Sequence, residues 1–194
     1  AGLARWAPIQ HDPDDCVETE IVHGIPGGVA RAVAEADVVV SVGVAELHQY
    51  AGVSGGHKGV SVGCGARQTI AALHARARVL ADDVRIGKVE GNSFRATVDG
   101  LGRAARCSLA LVWVPAAGMW LAGDPEDVVR EAISLINPWT SVDQVWPGAV
   151  LSVPLAKASS LYQASRAATY LGLSPAPPIS DGGTLVLDAA CPEG

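Results

Sequence analysis

The chain has 194 residues, 49% hydrophobic and 18% charged, which is enough apolar side chain for a core and too little charge for a disordered segment. That length allows one large domain or one and a fraction, and excludes a long multidomain array. Fourteen Lys and Arg against twenty Asp and Glu give a formal net charge of -6, and no basic cluster could follow a phosphate backbone, so nucleic acid is not an expected partner. The most apolar stretches, 36–44 and 109–115, fall well short of the ~20 residues that cross a bilayer. Cys16, Cys64, Cys107 and Cys191 lie in unrelated contexts without a CxxC pair, as reduced thiols would. The expectation is a soluble, cytoplasmic protein. The chain opens on Ala1 and ends on Cys191-Pro192-Glu193-Gly194 directly after an apolar run, the pattern expected of a fragment.

In chain order, the Ala-rich stretch 27–35 predicts a helix, and the β-branched run 37–43 a short buried strand. Six glycines between Gly52 and Gly65 are too many for a regular element and predict a loop bending closely around something. Helical spacing returns over 68–79, with Ile70, Leu73 and Ala77 on one face and His74 beside it. The apolar run 107–114 and the shorter run 119–123 predict a hairpin. Asp124 as N-cap and Pro125 at the first helical position start a helix running to about residue 136. Asn137-Pro138 ends it, marking a plausible domain boundary. Residues 149–153 read as a strand, 159–170 as a helix, and 184–187 as a strand after an Asp-Gly-Gly turn. Helices alternating with short buried strands predict an α/β fold with mostly parallel sheets.

Three of the five histidines fall between His48 and His74, around Ser54-Gly55-Gly56-His57-Lys58-Gly59. A phosphate-cradling P-loop is the first candidate. It fails twice, because His57 stands where glycine should precede the lysine, and Gly59 where Ser or Thr should follow. A zinc site from His48, His57, His74 and Cys64 has suitable donors but no standard spacing, and HExxH is absent.

His48, then Lys58 within the Ser-Gly-Gly loop, then His74, at those intervals, resemble the core signature of the nickel-dependent lactate racemase family. Glu90-Gly91-Asn92, Ala122-Gly123-Asp124, Tyr162-Gln163-x-x-Arg166 and Gly182-Gly183 resemble further segments of that family in order, over nearly the whole chain. The resemblance implies a two-domain α/β protein with its site between domains. Residues 1–138 would form part of the N-terminal domain with the cofactor loop, and 139–194 the start of a second domain with the Tyr-Gln-x-x-Arg helix.

It further implies a nickel pincer nucleotide attached covalently to Lys58, in a loop whose Ser54, Gly55 and Gly56 line the cofactor, with Tyr162 beside it. By the same likeness His74 is the nickel ligand and His48 a general base on the substrate hydroxyl, a role suited to imidazole. Gln163 and Arg166, one helical turn apart, match the substrate-side glutamine and lysine. The activity implied is racemisation or epimerisation of a 2-hydroxy acid, with hydride passing to and from the cofactor through an enzyme-bound 2-keto acid. Cofactor-making enzymes are the implied partners. Arginine in place of lysine at 166 departs from the pattern, since a guanidinium grips carboxylates bidentately, and weakens the assignment to lactate specifically, so the substrate expected is lactate or a larger hydroxy or sugar acid. The family's second catalytic histidine and its phosphate-binding segment match sequence upstream of Ala1. The competing reading is a non-catalytic α/β module binding an anionic nucleotide or sugar acid. His11, His23, His57 and Cys64 receive no role.

Overall fold

The computed structural model describes residues 7–140, 142–172 and 174–194. Strand β1 (Cys16–Glu18) pairs with β2 (Gly28–Ala30), which runs straight into the single turn α1 (Arg31–Ala34). Then follow β3 (Val39–Val44), the short strands β4 (Leu47–His48) and β5 (Gly52–Val53), and the helical turn α2 (Lys58–Ser61). Helices α3 (Arg67–Leu73), α4 (Arg76–Val79) and α5 (Ser93–Ala104) lead to the strands β6 (Cys107–Val114) and β7 (Met119–Gly123). Helix α6 (Pro125–Ile136), β8 (Trp146–Ser152), α7 (Leu161–Gly172) and β9 (Ile179–Asp188) complete the order.

The architecture is mixed α/β rather than mostly parallel. Pairs β3–β6 and β8–β9 are parallel, whereas β1–β2, β4–β5 and β6–β7 are antiparallel. The short connections between β4 and β5 and between β6 and β7 are responsible, since a tight turn can only return a strand antiparallel.

One face of the β3–β6–β7 sheet carries the main core. Ala110, Val112 and Val114 alternate inward along β6 and, with Leu121, pack on Val128, Val129, Ala132, Ile133 and Ile136 of α6. Each buried valine or isoleucine contributes about 1.5–3 kcal/mol against exposure. Asp124 caps α6 as the sequence predicts, its carboxylate accepting from the amides of Glu126 at 2.9 Å and Asp127 at 3.2 Å, with Pro125 in the first turn. On the opposite face, Val40, Val42 and Val44 of β3 are exposed, so this strand alternates and is not the buried strand expected.

Four other expectations change. The first half of the helix expected over 27–35 is strand β2, because residues 28–30 pair with β1 and Val29 also bridges to Gly65. The glycine-rich stretch is not all loop, since β5 and α2 lie inside it. The helix expected over 68–79 is broken at His74, which sits at φ −91° and ψ 12° between α3 and α4. Finally, α5 was not foreseen. It starts at Asn92, whose side-chain oxygen accepts from the Arg95 amide at 2.9 Å, and buries Phe94, Val98 and Leu101. Gly102 lets it approach the glycine-rich loop, as a Cβ there would sit 2.4 Å from that of His57.

Candidate functional site

Framework side chains hold the loop 53–57 from several directions. The Ser54 hydroxyl donates to the Val44 carbonyl at 2.6 Å and accepts from the Glu46 amide at 3.0 Å, tying the loop to the end of β3. Ser41, buried on β3, donates to the Gly56 carbonyl at 2.7 Å. Gly56 has φ +60°, and a Cβ there would stand 2.6 Å from both the Pro125 carbonyl oxygen and a Val129 methyl. Only glycine fits that conformation and that space without strain. The sequence reading gave these glycines to the close approach of a ligand; the approach visible here is that of the loop to α6.

Beneath the loop lies a buried charged network. Arg95, 1% exposed, donates to both oxygens of Asp99, at 2.9 Å from Nε and 2.8 Å from Nη2. Its remaining terminal nitrogen reaches the carbonyls of Val53 at 3.3 Å and Gly55 at 3.5 Å. His57, 2% exposed, donates from Nδ1 to Asp99 and from Nε2 to the Cys107 carbonyl, both at 3.2 Å. Burial opposes the Asp99 charge, but the His57 hydrogen bond and the Arg95 guanidinium outweigh it and hold the carboxyl below its usual value. His57 is therefore a buried anchor of the loop and does not face ligand or solvent. Sequence reasoning missed Arg95 and Asp99, although opposite charges four residues apart in a helix were a visible signal.

Lys58 follows this anchored segment and opens α2, half-buried. Burial lowers its amine pKa, and the charges of Arg166 and Arg95 lower it further. His48, on β4, is likewise pushed down, to about 3, first by burial and then by Lys58, Arg166, His74 and Arg95. The ring is neutral near pH 7. Its Nδ1 accepts from the amides of Tyr50 at 3.2 Å and Ala51 at 3.1 Å.

His74 donates from Nδ1 to the Ile70 carbonyl at 2.8 Å, which leaves Nε2 with a lone pair, the arrangement of a metal-ligating imidazole. Edge-on contacts with Tyr50 and Phe94, at centroid distances of 5.9 and 5.3 Å, fix the ring. Among the described residues no three His, Cys, Asp or Glu side chains gather as metal ligands. A metal beside His74 would take its other donors from a bound group, which suits a pincer cofactor and not the zinc set considered above.

From α7, Arg166 donates to the Tyr170 hydroxyl at 3.0 Å and to the Gln163 side-chain oxygen at 3.4 Å, with its guanidinium 5.8 Å from the Tyr170 ring centre. It is one of the charges acting on both Lys58 and His48. The structure thus gathers His48, Lys58, His74 and Arg166, and every group that perturbs His48 or Lys58 electrostatically is a base or a cation. Such a surface favours an anion. Tyr162 is 75% exposed, and Gln163 meets this group through its hydrogen bond with Arg166. Beside the site a cavity of about 540 Å³ opens between Tyr50 and Tyr170, with Val84, Ile86 and Pro175 on its walls.

Comparison with known proteins follows the same outline. Residues 4–86 match the lactate racemase N-terminal domain. The lactate racemase of Lactiplantibacillus plantarum is 26% identical over 174 residues, covering 86% of this chain, and that of Thermoanaerobacterium thermosaccharolyticum is 29% identical over 108 residues, covering 54%. The chain is similar to lactate racemases over most of its length. The lactate racemase apoprotein of T. thermosaccharolyticum shares the fold, with a TM-score of 0.79 at 22% identity over 95% of this chain. A Thermotoga maritima protein solved by structural genomics aligns at a TM-score of 0.59 and 16% identity over 90% of it. The chain spans 40% and 25% of the length of the two curated family members, and 46% and 48% of the two solved structures. Among the described residues, no helix is long and apolar enough to cross a membrane.

Proposed function

We propose that this chain forms the part of a 2-hydroxy-acid racemase or epimerase that holds a nickel pincer nucleotide, joined covalently to Lys58 and bound through nickel to His74. The observation that carries this reading is the half-buried Lys58, its pKa lowered, on an anchored loop with Arg166 and Arg95 acting on it, together with a histidine, His74, whose Nδ1 is already committed. A desolvated amine is a nucleophile at lower pH than a solvated one, and an imidazole oriented by a backbone carbonyl is a prepared metal ligand. When bound, the cofactor supplies a hydride acceptor and donor.

The chain's own residues bind and orient the substrate. Arg166, held by Tyr170 and Gln163, offers its guanidinium to the carboxylate. The cavity between Tyr50 and Tyr170 gives room for a substituent larger than methyl, so a larger hydroxy acid or sugar acid fits as well as lactate. In this reading residues 1–138 carry the cofactor loop and 139–194 begin a second α/β unit, with substrate between them. The protein works in the cytoplasm, loaded by cofactor-making enzymes.

The test uses protein co-produced with those enzymes. His74→Ala should retain the added mass on Lys58 while losing most of its nickel, read by intact-protein mass spectrometry and metal analysis. Nickel retained at the wild-type level in His74→Ala contradicts the assignment of His74. An unmodified wild-type chain without nickel, beside a loaded control enzyme, favours the non-catalytic anion-binding module.

A further inference from the structure

Glu90-Gly91-Asn92 enters none of the chemistry above, yet its asparagine is 2% exposed and bonded at both ends of its amide. We propose that Asn92 is a positioning residue of the site: it touches no reacting group, but locks in place the two rings that aim the imidazole of His74. The side chain fits in one orientation. Its nitrogen donates to the carbonyls of Tyr50 at 2.8 Å and Lys88 at 2.9 Å, and its oxygen accepts from the Arg95 amide at 2.9 Å. Flipped, the oxygen would face two carbonyls and the nitrogen an N–H, in a space closed to solvent.

These bonds join pieces distant in sequence. Tyr50 lies in the turn between β4 and β5, two residues after His48. The chain before Asn92 packs against that turn: the Gly87 amide donates to the Gly52 carbonyl at 2.9 Å, and a Cβ on Gly52, at φ +75°, would overlap the Lys88 carbonyl oxygen at 2.0 Å. Arg95 belongs to the first turn of α5, where Asn92 is the N-cap. Asn92 therefore fastens the β4–β5 turn to the start of α5.

What depends on that fastening is His74. Its Nδ1 is tied to the Ile70 carbonyl, but one hydrogen bond leaves a ring able to pivot. Tyr50 and Phe94 stop the pivot. Their centroids lie 5.9 and 5.3 Å from that of His74, with interplanar angles of 71° and 75°, and 5.6 Å from each other. One ring comes from the turn and the other from α5, two residues after Asn92, so their separation is set where Asn92 bonds. On the reading above, on which this part rests, the Nε2 lone pair so directed meets nickel. Groups that orient a metal-ligating histidine typically change metal affinity by about 10–100-fold.

Asn92→Ser separates the fastening from the cap. Serine is a good N-cap, so α5 keeps its start, but the hydroxyl is too short to reach the carbonyls of Tyr50 and Lys88. Phe94 is the only phenylalanine and Tyr50 one of three tyrosines, so selectively labelled protein, without cofactor, resolves nuclear Overhauser effects between the rings. Those from Phe94 to His74 should fall several-fold in Asn92→Ser while circular dichroism stays that of the folded chain. Val128→Ala, in the core under α6, also lowers stability and should leave them unchanged. Wild-type ring contacts in Asn92→Ser, or equal losses in Val128→Ala, would overturn the proposal. Should the serine variant not fold, hydrogen exchange of the wild type decides: the Tyr50, Ala51 and Arg95 amides should share one opening free energy, and much faster exchange at Tyr50 and Ala51 than at Arg95 would overturn it. In protein co-produced with the cofactor-making enzymes, Asn92→Ser should yield nickel to a chelator about 10-fold faster than wild type or more, with the mass on Lys58 unchanged; equal rates would overturn the proposal. A wild-type chain that takes up neither adduct nor nickel refutes the racemase reading and leaves the ring measurement standing, so the two failures are distinguishable.

Discussion

Arg95→Met is expected to lower the unfolding free energy by about 3–5 kcal/mol and the melting temperature by on the order of 10 °C. Removing the guanidinium leaves the Asp99 carboxylate buried with the His57 hydrogen bond as its one remaining side-chain contact among the described residues, and the carbonyls of Val53 and Gly55 lose the donor they share. Domains are typically stable by only about 5–15 kcal/mol, so the loss is a large fraction of the whole. Arg31→Met breaks an ion pair to Asp15, a single contact 3.1 Å long whose two side chains are both more than half exposed. It should leave the midpoint nearly unchanged, because water and side-chain entropy offset most of an exposed pair. The double variant Arg95→Met, Asp99→Leu should recover part of the loss by removing the stranded charge. Chemical denaturation of the four proteins decides the matter, and equal midpoints for Arg95→Met and Arg31→Met would show that the buried network does not anchor the loop.

The second large effect concerns Lys58 before any cofactor is attached. With its pKa lowered from the ordinary 10.5 by burial, Arg166 and Arg95, the free amine is present at lower pH than in a solvated lysine. Lys58, Lys88 and Lys157 are the only lysines, so peptide mass spectrometry separates their acylation rates cleanly. The rate–pH profile of Lys58 should have its midpoint below 10.5, and Arg166→Ala should move that midpoint upward by removing a nearby cation. The midpoint, unlike the absolute rate, does not depend on how easily a reagent reaches the side chain. A Lys58 midpoint at or above the ordinary value would contradict the electrostatic account of the site.

How much of this was legible in the sequence depends on whether the signal is local. Asp124-Pro125 announces α6 because capping is chemistry among neighbours, and the apolar runs of β6 and β7 mark their hairpin for the same reason. Helix α5 escaped notice because Gly100, Gly102, Arg95 and Asp99 interrupt its apolar stripe. Each is explained only by a distant partner, such as Val22 against Gly100 or His57 against Gly102. The strand β2 is similar, since it forms by pairing with β1 and by the bridge of Val29 to Gly65, far along the chain.

In the site, Lys58, His48, His74 and Arg166 are singled out by the family resemblance that their motifs and intervals carry. The charge pair Arg95 and Asp99 reads locally as an ordinary solvated i, i+4 pair; that it is buried beneath the loop follows from tertiary packing alone.

The most direct test of the central claim is peptide-level mass spectrometry, with metal analysis, of the wild-type chain co-produced with the enzymes that make the nickel pincer nucleotide. The account predicts an added mass confined to the peptide containing Lys58, with about one nickel per modified chain. Unmodified Lys58, or an adduct on Lys88 or Lys157 instead, in a preparation where a control enzyme is fully loaded, would contradict it.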